Sequence, residues 1–156
     1  MSCESCSRSC SGCSSPEACG GCHGCTASSP LNAEERELLL ELAQTPFLPM
    51  VQFARRESYF APLEPLEPSP VYLRSGEEDT AEIELISLAL RRLASRGYIT
   101  LDYEIPLSGY DYVLYQTSAL CRRLGQLHPG CTILPKRGSM ALTAAGQDAA
   151  DDPDLA

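Results

Sequence analysis

Seven of the nine cysteines of this chain lie within its first 25 residues. Most neighbouring pairs have the spacing C-x2-C, at which one tight turn directs two thiolates at the same metal ion. The candidate metal ligands are Cys3, Cys6, Cys10, Cys13, Cys19, Cys22 and Cys25. The pattern therefore indicates thiolate chemistry, and metal binding is the first form of that chemistry to consider.

We define residues 1–30 as the Cys-rich tail. Between Met1 and Pro30 the tail has no Leu, Ile, Val, Phe, Tyr or Trp. Without these side chains, hydrophobic burial cannot offset the entropy lost when a chain becomes ordered. We therefore expect the tail to be either ordered by a metal or disordered.

Disulfide bonds are the alternative use of so many cysteines, and they are typical of secreted proteins. Residues Met1 to Cys13 have neither the basic region nor the apolar region of a secretory signal. The rest of the chain has no apolar run of about 18 to 20 residues, the length needed to span a membrane. We therefore expect a cytoplasmic protein without membrane association, whose thiols stay reduced and available to metal.

The identity of the metal is left open by the spacing. Zinc ribbons separate their two C-x2-C pairs by about 12 to 20 residues, whereas only residues 7–9 separate the first two pairs here. The segment Cys19-Gly20-Gly21-Cys22-His23-Gly24-Cys25 resembles the C-x2-C-x2-C run of bacterial ferredoxins, which implies an iron–sulfur cluster. The fourth ferredoxin cysteine and its Cys-Pro are missing, so the fourth ligand would be Cys13, Cys10 or a residue of a second chain.

Three uses of the tail therefore remain. It binds an iron–sulfur cluster or zinc; it is a redox-active or metal-buffering thiol segment; or it is a processed or functionless extension. His23 is either a further zinc ligand or a bystander. Cys121 and Cys131 could complete a site with the tail. Cys121 lies in a helical apolar pattern, so a buried structural role is the more common explanation.

Residues 31–150 have the length of one domain, and residues 151–156 form an acidic end that we expect to be disordered. The formal net charge is −9, so nucleic acid could bind only where the cations gather on one face. Residues 96–140 have a net positive charge, and only this region could form such a face. The candidate DNA-binding residues are Arg122, Arg123, Lys136 and Arg137.

Periodicity and capping signals predict mixed α+β structure. Asn32 and Glu35 form a capping box that begins a first helix, which ends before Pro46. The predicted elements that follow are a second helix from Thr45-Pro46 through Phe53, an extended stretch 61–70, a helix 79–96, a strand 98–103, a turn 106–109, a strand 110–115 and a helix 117–127. The tyrosines at positions 98, 103, 110, 112 and 115 are expected on strand faces.

Two segments resemble a family of bacterial regulators. The segment Leu90-Arg91-Arg92-Leu93-Ala94-Ser95-Arg96-Gly97-Tyr98-Ile99 resembles the end of the recognition helix and the first wing strand of MarR-like winged-helix proteins. The segment Ser139-Met140-Ala141-Leu142-Thr143-Ala144-Ala145-Gly146 resembles their returning strand and the entry to the next helix. The resemblance covers residues 31–150 and implies a winged helix-turn-helix domain, here with a wing enlarged to about forty residues.

Two functional hypotheses follow. The resemblance implies a DNA-binding transcription regulator, which the tail would make responsive to metal or redox state. The first part of the recognition helix, however, carries Asp79, Glu82 and Glu84, and carboxylates there disfavour contact with bases and phosphates. The alternative is a winged-helix protein-interaction module whose tail carries a metal or cluster for a partner.

Nucleotide-binding and hydrolase motifs are missing and only two histidines are present, so we do not expect an enzyme. The oligomeric state is left open.

Overall fold

The computed structural model describes residues 30–155. The helices are α1 (Ala33–Gln44), α2 (Thr80–Ser95), α3 (Val113–Gln116), α4 (Ala119–Leu127) and α5 (Ala144–Ala150). The strands are β1 (Phe47–Arg56), β2 (Glu64–Pro65), β3 (Ile99–Asp102) and β4 (Thr132–Leu142), and a 3₁₀ turn follows at Pro153–Leu155. The predicted α+β class is confirmed.

Helix α1 forms as its capping signal predicts. The Asn32 Oδ1 atom accepts a hydrogen bond of 2.8 Å from the backbone N–H of Glu35, which satisfies one of the free donors at the helix start. Leu38, Leu39 and Leu42 are buried on one side of the helix. The helix ends before Pro46 because proline cannot continue the hydrogen-bond pattern.

The predicted second helix over residues 45–53 is wrong: this segment is strand β1. Strand β1 pairs with β4 along its whole length, from Phe47 opposite Ala141 to Arg56 opposite Thr132. Met50 belongs to one buried cluster, whereas Val51 and Phe53 belong to another. A strand covered on both faces shows consecutive apolar residues instead of alternation, and such a run is easily taken for a buried helix.

The four antiparallel strands lie in the order β2-β1-β4-β3. Because successive strand residues point to opposite faces, the two clusters lie on opposite sides of the sheet. The helix-side cluster contains Leu38, Leu39, Leu42, Met50, Tyr72, Ile86, Ala89, Leu90, Leu93, Ile99 and Met140. The tyrosine cluster contains Val51, Phe53, Val71, Leu73, Ile83, Tyr112, Tyr115, Leu120 and Leu124.

The proline-rich segment runs along the free side of β1. Its residues 64–65 form β2, and Val71 exchanges two backbone hydrogen bonds with Val51, at 3.0 and 2.8 Å. The prolines interrupt the ladder between these points, since proline has no N–H to donate. The segment therefore closes the edge of β1 as a broken strand.

Helix α2 and strand β3 match their predictions. The Asp79 side chain accepts from the backbone N–H of Glu82 at 2.8 Å and caps the start of α2. Gly97 follows the helix with φ of +77°, a conformation in which glycine is favoured, and β3 begins two residues later. Strand β3 then pairs with β4, from Ile99 opposite Leu142 to Asp102 opposite Ser139.

The predicted strand over residues 110–115 is also wrong: residues 110–112 form a loop, and the short helix α3 begins at Val113. Tyr112 and Tyr115 are buried in the tyrosine cluster and do not lie on strands. The Tyr112 hydroxyl donates to the carbonyl of Gly138 at 2.7 Å, and the Tyr115 hydroxyl donates to the carbonyl of Pro49 at 3.2 Å. These bonds to distant backbone hold the segment as a turn and outweigh its local strand preference. Helix α4 falls within the predicted 117–127 range.

Candidate functional site

The seven candidate cysteine ligands lie outside the described residues, so the metal or cluster site remains a prediction. Within residues 30–155 no group of three or more His, Cys, Asp or Glu side chains could hold a metal ion. Cys121 and Cys131 are free and partly buried. Burial raises the pKa of the Cys121 thiol, against the opposing effect of Arg122, and its side chain packs on the tyrosine cluster. Cys121 is therefore a poor nucleophile in a structural position.

The two candidate DNA-binding arginines on α4 contact neighbouring parts of their own chain. The Arg122 guanidinium donates to the carbonyl of Thr117 at 2.7 Å and lies 3.4 Å from the carboxylate of Glu77. The Arg123 guanidinium donates to the hydroxyl of Thr80, at the start of α2. Both arginines thus link α4 to the segment that leads into α2.

The two candidate cations on β4 also have partners. Lys136 forms an ion pair of 2.7 Å with Glu104. The Arg137 guanidinium lies over the Tyr112 ring, 5.6 Å from its centroid. Because adjacent strand residues point to opposite faces, these two cations are directed to opposite sides of the sheet. The structure therefore does not bring the four candidate cations together on one surface.

A cavity of about 260 Å³ lies beside β3 and the loop that follows it. Its apolar lining includes Phe47, Ile105 and Ala141. The Asp102 carboxylate accepts from the backbone N–H of Glu104 at 3.0 Å and of Ile105 at 3.1 Å, and the Ser139 hydroxyl donates to the carbonyl of Ile105 at 2.8 Å. These polar groups hold the loop in place, which leaves the cavity mainly apolar.

The most exposed aromatic side chains in the described part of the chain lie between β1 and β2. We define Arg56, Tyr59, Phe60 and Leu63 as the aromatic tip. Phe60 is 94% exposed and Tyr59 is 80% exposed. Their rings contact edge to face, with centroids 5.4 Å apart, and the Arg56 guanidinium lies 5.4 Å from the centroid of Tyr59. The two rings and the cation thus form one surface group.

The sheet holds the base of the aromatic tip in place. Ala54 and Arg55 of β1 pair with Pro65 and Glu64 of β2, so the connection closes as a hairpin. The Arg55 guanidinium forms an ion pair of 2.8 Å with Glu64 and lies 3.1 Å from Nδ1 of His128. The interactions of Glu64, its hydrogen bond first, raise the pKa of Arg55, which stays cationic. Two strands and an ion pair therefore present the tip to solvent.

Exposed aromatic rings of this kind have unused binding capacity. A Phe or Tyr side chain buries about 150 to 250 Å² when it enters an apolar environment. Full burial of such a side chain is worth about 1.5 to 3 kcal/mol before the cost of association. Tyrosine and arginine are also enriched among the residues that dominate protein–protein binding energy.

Sequence reasoning missed the aromatic tip. The available signal was the pair Tyr59-Phe60, which belongs to no helical or alternating pattern and lies between the three charged residues 55–57 and the proline-rich segment. Apolar residues outside every core pattern are candidates for contact with another molecule. The mistaken helix over 45–53 hid this signal, because it removed the hairpin that presents the tip.

The comparisons with protein families, curated proteins and solved structures gave no match to this chain. Among the helices of residues 30–155, none combines the length and the apolar character needed to cross a membrane.

Proposed function

We propose that residues 31–150 form a protein-interaction module that docks through the aromatic tip, and that the Cys-rich tail carries a metal or iron–sulfur cluster for the docked partner. The observation that carries this proposal is the exposure of Tyr59 and Phe60 on a hairpin that is anchored at its base. A preformed group of this kind loses little conformational entropy when it binds.

Electrostatics favour a protein partner over nucleic acid. The chain has a formal net charge of −9, and the four cations expected to contact DNA each have a partner within the fold. Phosphate contacts would first have to displace Glu77 and Glu104. An aromatic anchor has no such electrostatic cost, since a neutral pocket on a partner suffices.

The role of the tail in this proposal rests on its cysteine spacing. An iron–sulfur cluster or zinc held by thiolates requires reducing conditions, so we place the protein in the cytoplasm. The domain would bind the partner and the tail would supply the metal. Docking and metal loading are then separate properties that variants can separate.

The docking experiment compares the full chain with its Tyr59→Ser/Phe60→Ser variant. A protein captured by cross-linking from cells that express the chain is identified, purified and titrated by calorimetry against both forms. We expect the variant to bind at least about tenfold more weakly, because two aromatic anchors are lost. Leu127→Ser on α4, another exposed apolar residue, is the matched control and should bind like the unaltered chain. Equal affinity of all three forms would exclude the tip as the docking site.

The metal experiment uses the Cys19→Ser/Cys22→Ser/Cys25→Ser variant. We expect this variant to lose bound metal and to leave its partner without metal, while it still docks through the aromatic tip. The tip variant, in contrast, should keep its metal and lose docking. A cysteine variant that still loads the partner with metal would contradict the proposed role of the tail.

A metal- or redox-responsive winged-helix transcription regulator is the second candidate function. It is supported by the pairing of β3, directly after α2, with the returning strand β4, since the family resemblance implies this arrangement. It predicts a mobility shift of DNA that depends on the metal state of the tail and weakens when Arg122, Arg123, Lys136 and Arg137 become Ala. DNA affinity that is the same with and without metal, or undetectable at about 50 mM salt, would exclude it.

A further inference from the structure

The outward side of α2 carries two leucines that the fold leaves partly exposed. We define the outer face of α2 as its exposed stripe, formed by Ala81, Glu84, Leu85, Leu88, Arg91, Arg92 and Ser95. Leu85 is 55% exposed and Leu88 is 37% exposed, although the opposite side of the helix supplies five residues to the two core clusters. The core therefore leaves apolar area of both leucines open to another molecule.

The charges on this face are arranged with opposite signs at its two ends. Glu84 lies before Leu88 and Arg91 lies after it, two helical turns apart on the same edge of the stripe. Within residues 30–155, no ion pair involves Glu84 or Arg91. Arg92 lies 3.8 Å from the buried carboxylate of Glu35, and its side chain is still half exposed. Both ends of the stripe thus have charge that remains available to another molecule.

We infer that the outer face of α2 binds a second copy of this chain, with the two helices antiparallel about a two-fold axis at Leu88. In this arrangement each Leu88 meets the Leu88 of the other copy. Ala81 lies opposite Ser95, and these small side chains allow the helices to approach closely. The stripe is therefore complementary to itself, as an interface with two-fold symmetry requires.

The charged residues match in the same arrangement. Glu84 is four residues before the axis and Arg91 is three residues after it, so across the interface they differ in height by about 1.5 Å. Each dimer then contains two Glu84–Arg91 ion pairs. On the other edge, the aliphatic part of Arg92 covers Leu85 of the second copy. A parallel arrangement would instead place Glu84 beside Glu84 and Arg91 beside Arg91.

The size of the face determines the strength of the dimer. The stripe is about 20 Å long, and such a face is smaller than the roughly 800 Å² per partner of a standard stable interface. We therefore expect a reversible dimer with a Kd of about 10 to 100 μM that weakens as salt rises. The interface uses no residue of the aromatic tip, so its failure and the failure of the proposed docking function are distinguishable.

The first test is sedimentation of the full chain under reducing conditions, which keep the tail thiols from cross-linking. Between about 5 and 500 μM we expect a shift from monomer to dimer. Leu88→Asp should abolish the dimer, since it places two carboxylates on the axis, whereas Leu127→Asp on α4 should not affect it. Circular dichroism checks that both variants stay folded. A monomer at every concentration, or a dimer that survives Leu88→Asp, would overturn the inference.

The second test reverses single charges. Glu84→Arg gives a copy with cations at positions 84 and 91, and Arg91→Glu gives a copy with carboxylates at both. Each variant alone should dimerise at least about tenfold more weakly, because both ion pairs become repulsive. Their equimolar mixture should form a heterodimer at least as strong as the original dimer. If the mixture is no stronger than the separate variants, the antiparallel arrangement is wrong.

Discussion

Gly146 of α5 lies against the backbone carbonyl of Tyr98, so closely that a Cβ atom at position 146 would come within 2.0 Å of that oxygen. Beside this contact, the Thr143 hydroxyl donates to the carbonyl of Gly97 at 2.6 Å and accepts from the N–H of Gly146 at 3.0 Å. The start of α5 is therefore fixed on the turn between α2 and β3. Thr143 caps the start of α5, and Gly146 allows the helix to approach the backbone of Tyr98 closely.

Gly146→Ala should destabilise the fold by about 2 to 4 kcal/mol, because rigid backbone occupies the space that the new methyl group needs. The measurement is the free energy of unfolding in urea. Gly125→Ala on α4 is the matched control, since a Cβ there would meet nothing within 4 Å. The control should be neutral or stabilising by up to about 1 kcal/mol, because alanine is the better helix former. Equal effects at both positions would contradict the close contact at Gly146.

Tyr115→Phe should cost about 1 to 3 kcal/mol of stability, since it leaves two buried backbone groups without a partner. The Tyr115 hydroxyl accepts from the N–H of Leu73 at 3.3 Å and donates to the carbonyl of Pro49. Burial raises the pKa of Tyr115, so the hydroxyl is protonated at neutral pH and can donate. Tyr59→Phe at the exposed tip should change the free energy of unfolding by less than about 0.5 kcal/mol. A neutral Tyr115→Phe would indicate that other groups satisfy these backbone atoms.

Glu78→Gln should change how stability depends on pH. Burial alone would raise the pKa of Glu78, but hydrogen bonds from the backbone N–H groups of Ser75, Arg74 and Gly76 outweigh it and lower the pKa. The unfolded chain therefore takes up the proton first as the pH falls. The stabilisation is complete above the ordinary carboxyl pKa and is lost as the pH falls through the folded value.

Urea unfolding at several pH values checks this prediction. At pH 7 Glu78→Gln should be less stable than the unaltered chain by about 1 to 2 kcal/mol, and the difference should shrink as the solution is acidified towards about pH 3. Glu77→Gln changes the neighbouring exposed carboxylate and should follow the unaltered chain. A difference at Glu78 that does not depend on pH would show that packing and not charge is responsible.

The Cys-rich tail should retain metal when the protein is purified without oxygen. A cluster would give visible absorption, and zinc would give none but would appear in metal analysis. Replacing Cys19, Cys22 and Cys25 by Ser should remove the metal, whereas Cys121→Ser should not. If the triple variant still binds metal, the metal ligands are not Cys19, Cys22 and Cys25.

Deletion of residues 1–30 should leave the melting temperature unchanged within about 2 °C, because the tail has no Leu, Ile, Val, Phe, Tyr or Trp side chain to add to a hydrophobic core. The melting curve of the truncated chain is compared with that of the metal-free full chain, so that ligand binding does not shift the result. A lower melting temperature after truncation would show that the tail supports the fold even without metal.

The elements that could be predicted are those whose local signals agree with their surroundings. Helix α2 has a capping Asp79, an apolar stripe of period 3.6 and a terminal Gly97, and the fold uses each of them. Strand β1 could not be recognised because its partner, β4, follows about 80 residues later, and no pattern within β1 itself indicates that the two segments pair. The tyrosines of residues 110–115 have strand-forming side chains, but their hydroxyl partners lie on distant backbone.

The same distinction applies to the surfaces. The four candidate cations can be identified from the sequence as Arg or Lys residues. The groups that they contact depend on the fold, as the ion pair between Lys136 and Glu104 shows. The exposed leucines of α2 look like core residues in a sequence, because a widened apolar stripe is typical of a buried helix. Leu85 and Ile86 are neighbours of similar apolar character, and only the structure shows that Leu85 is exposed whereas Ile86 is buried.

The pairing of β1 with β4 determines when this domain can fold during synthesis. Strand β1 leaves the ribosome early, but its hydrogen-bond partner emerges only about 80 residues later, at typical rates of roughly 5 to 20 residues per second. For several seconds the nascent chain therefore exposes the apolar residues of β1 on both sides. Folding of the sheet must wait for almost the entire domain, and in that interval the exposed apolar residues of β1 are prone to aggregation.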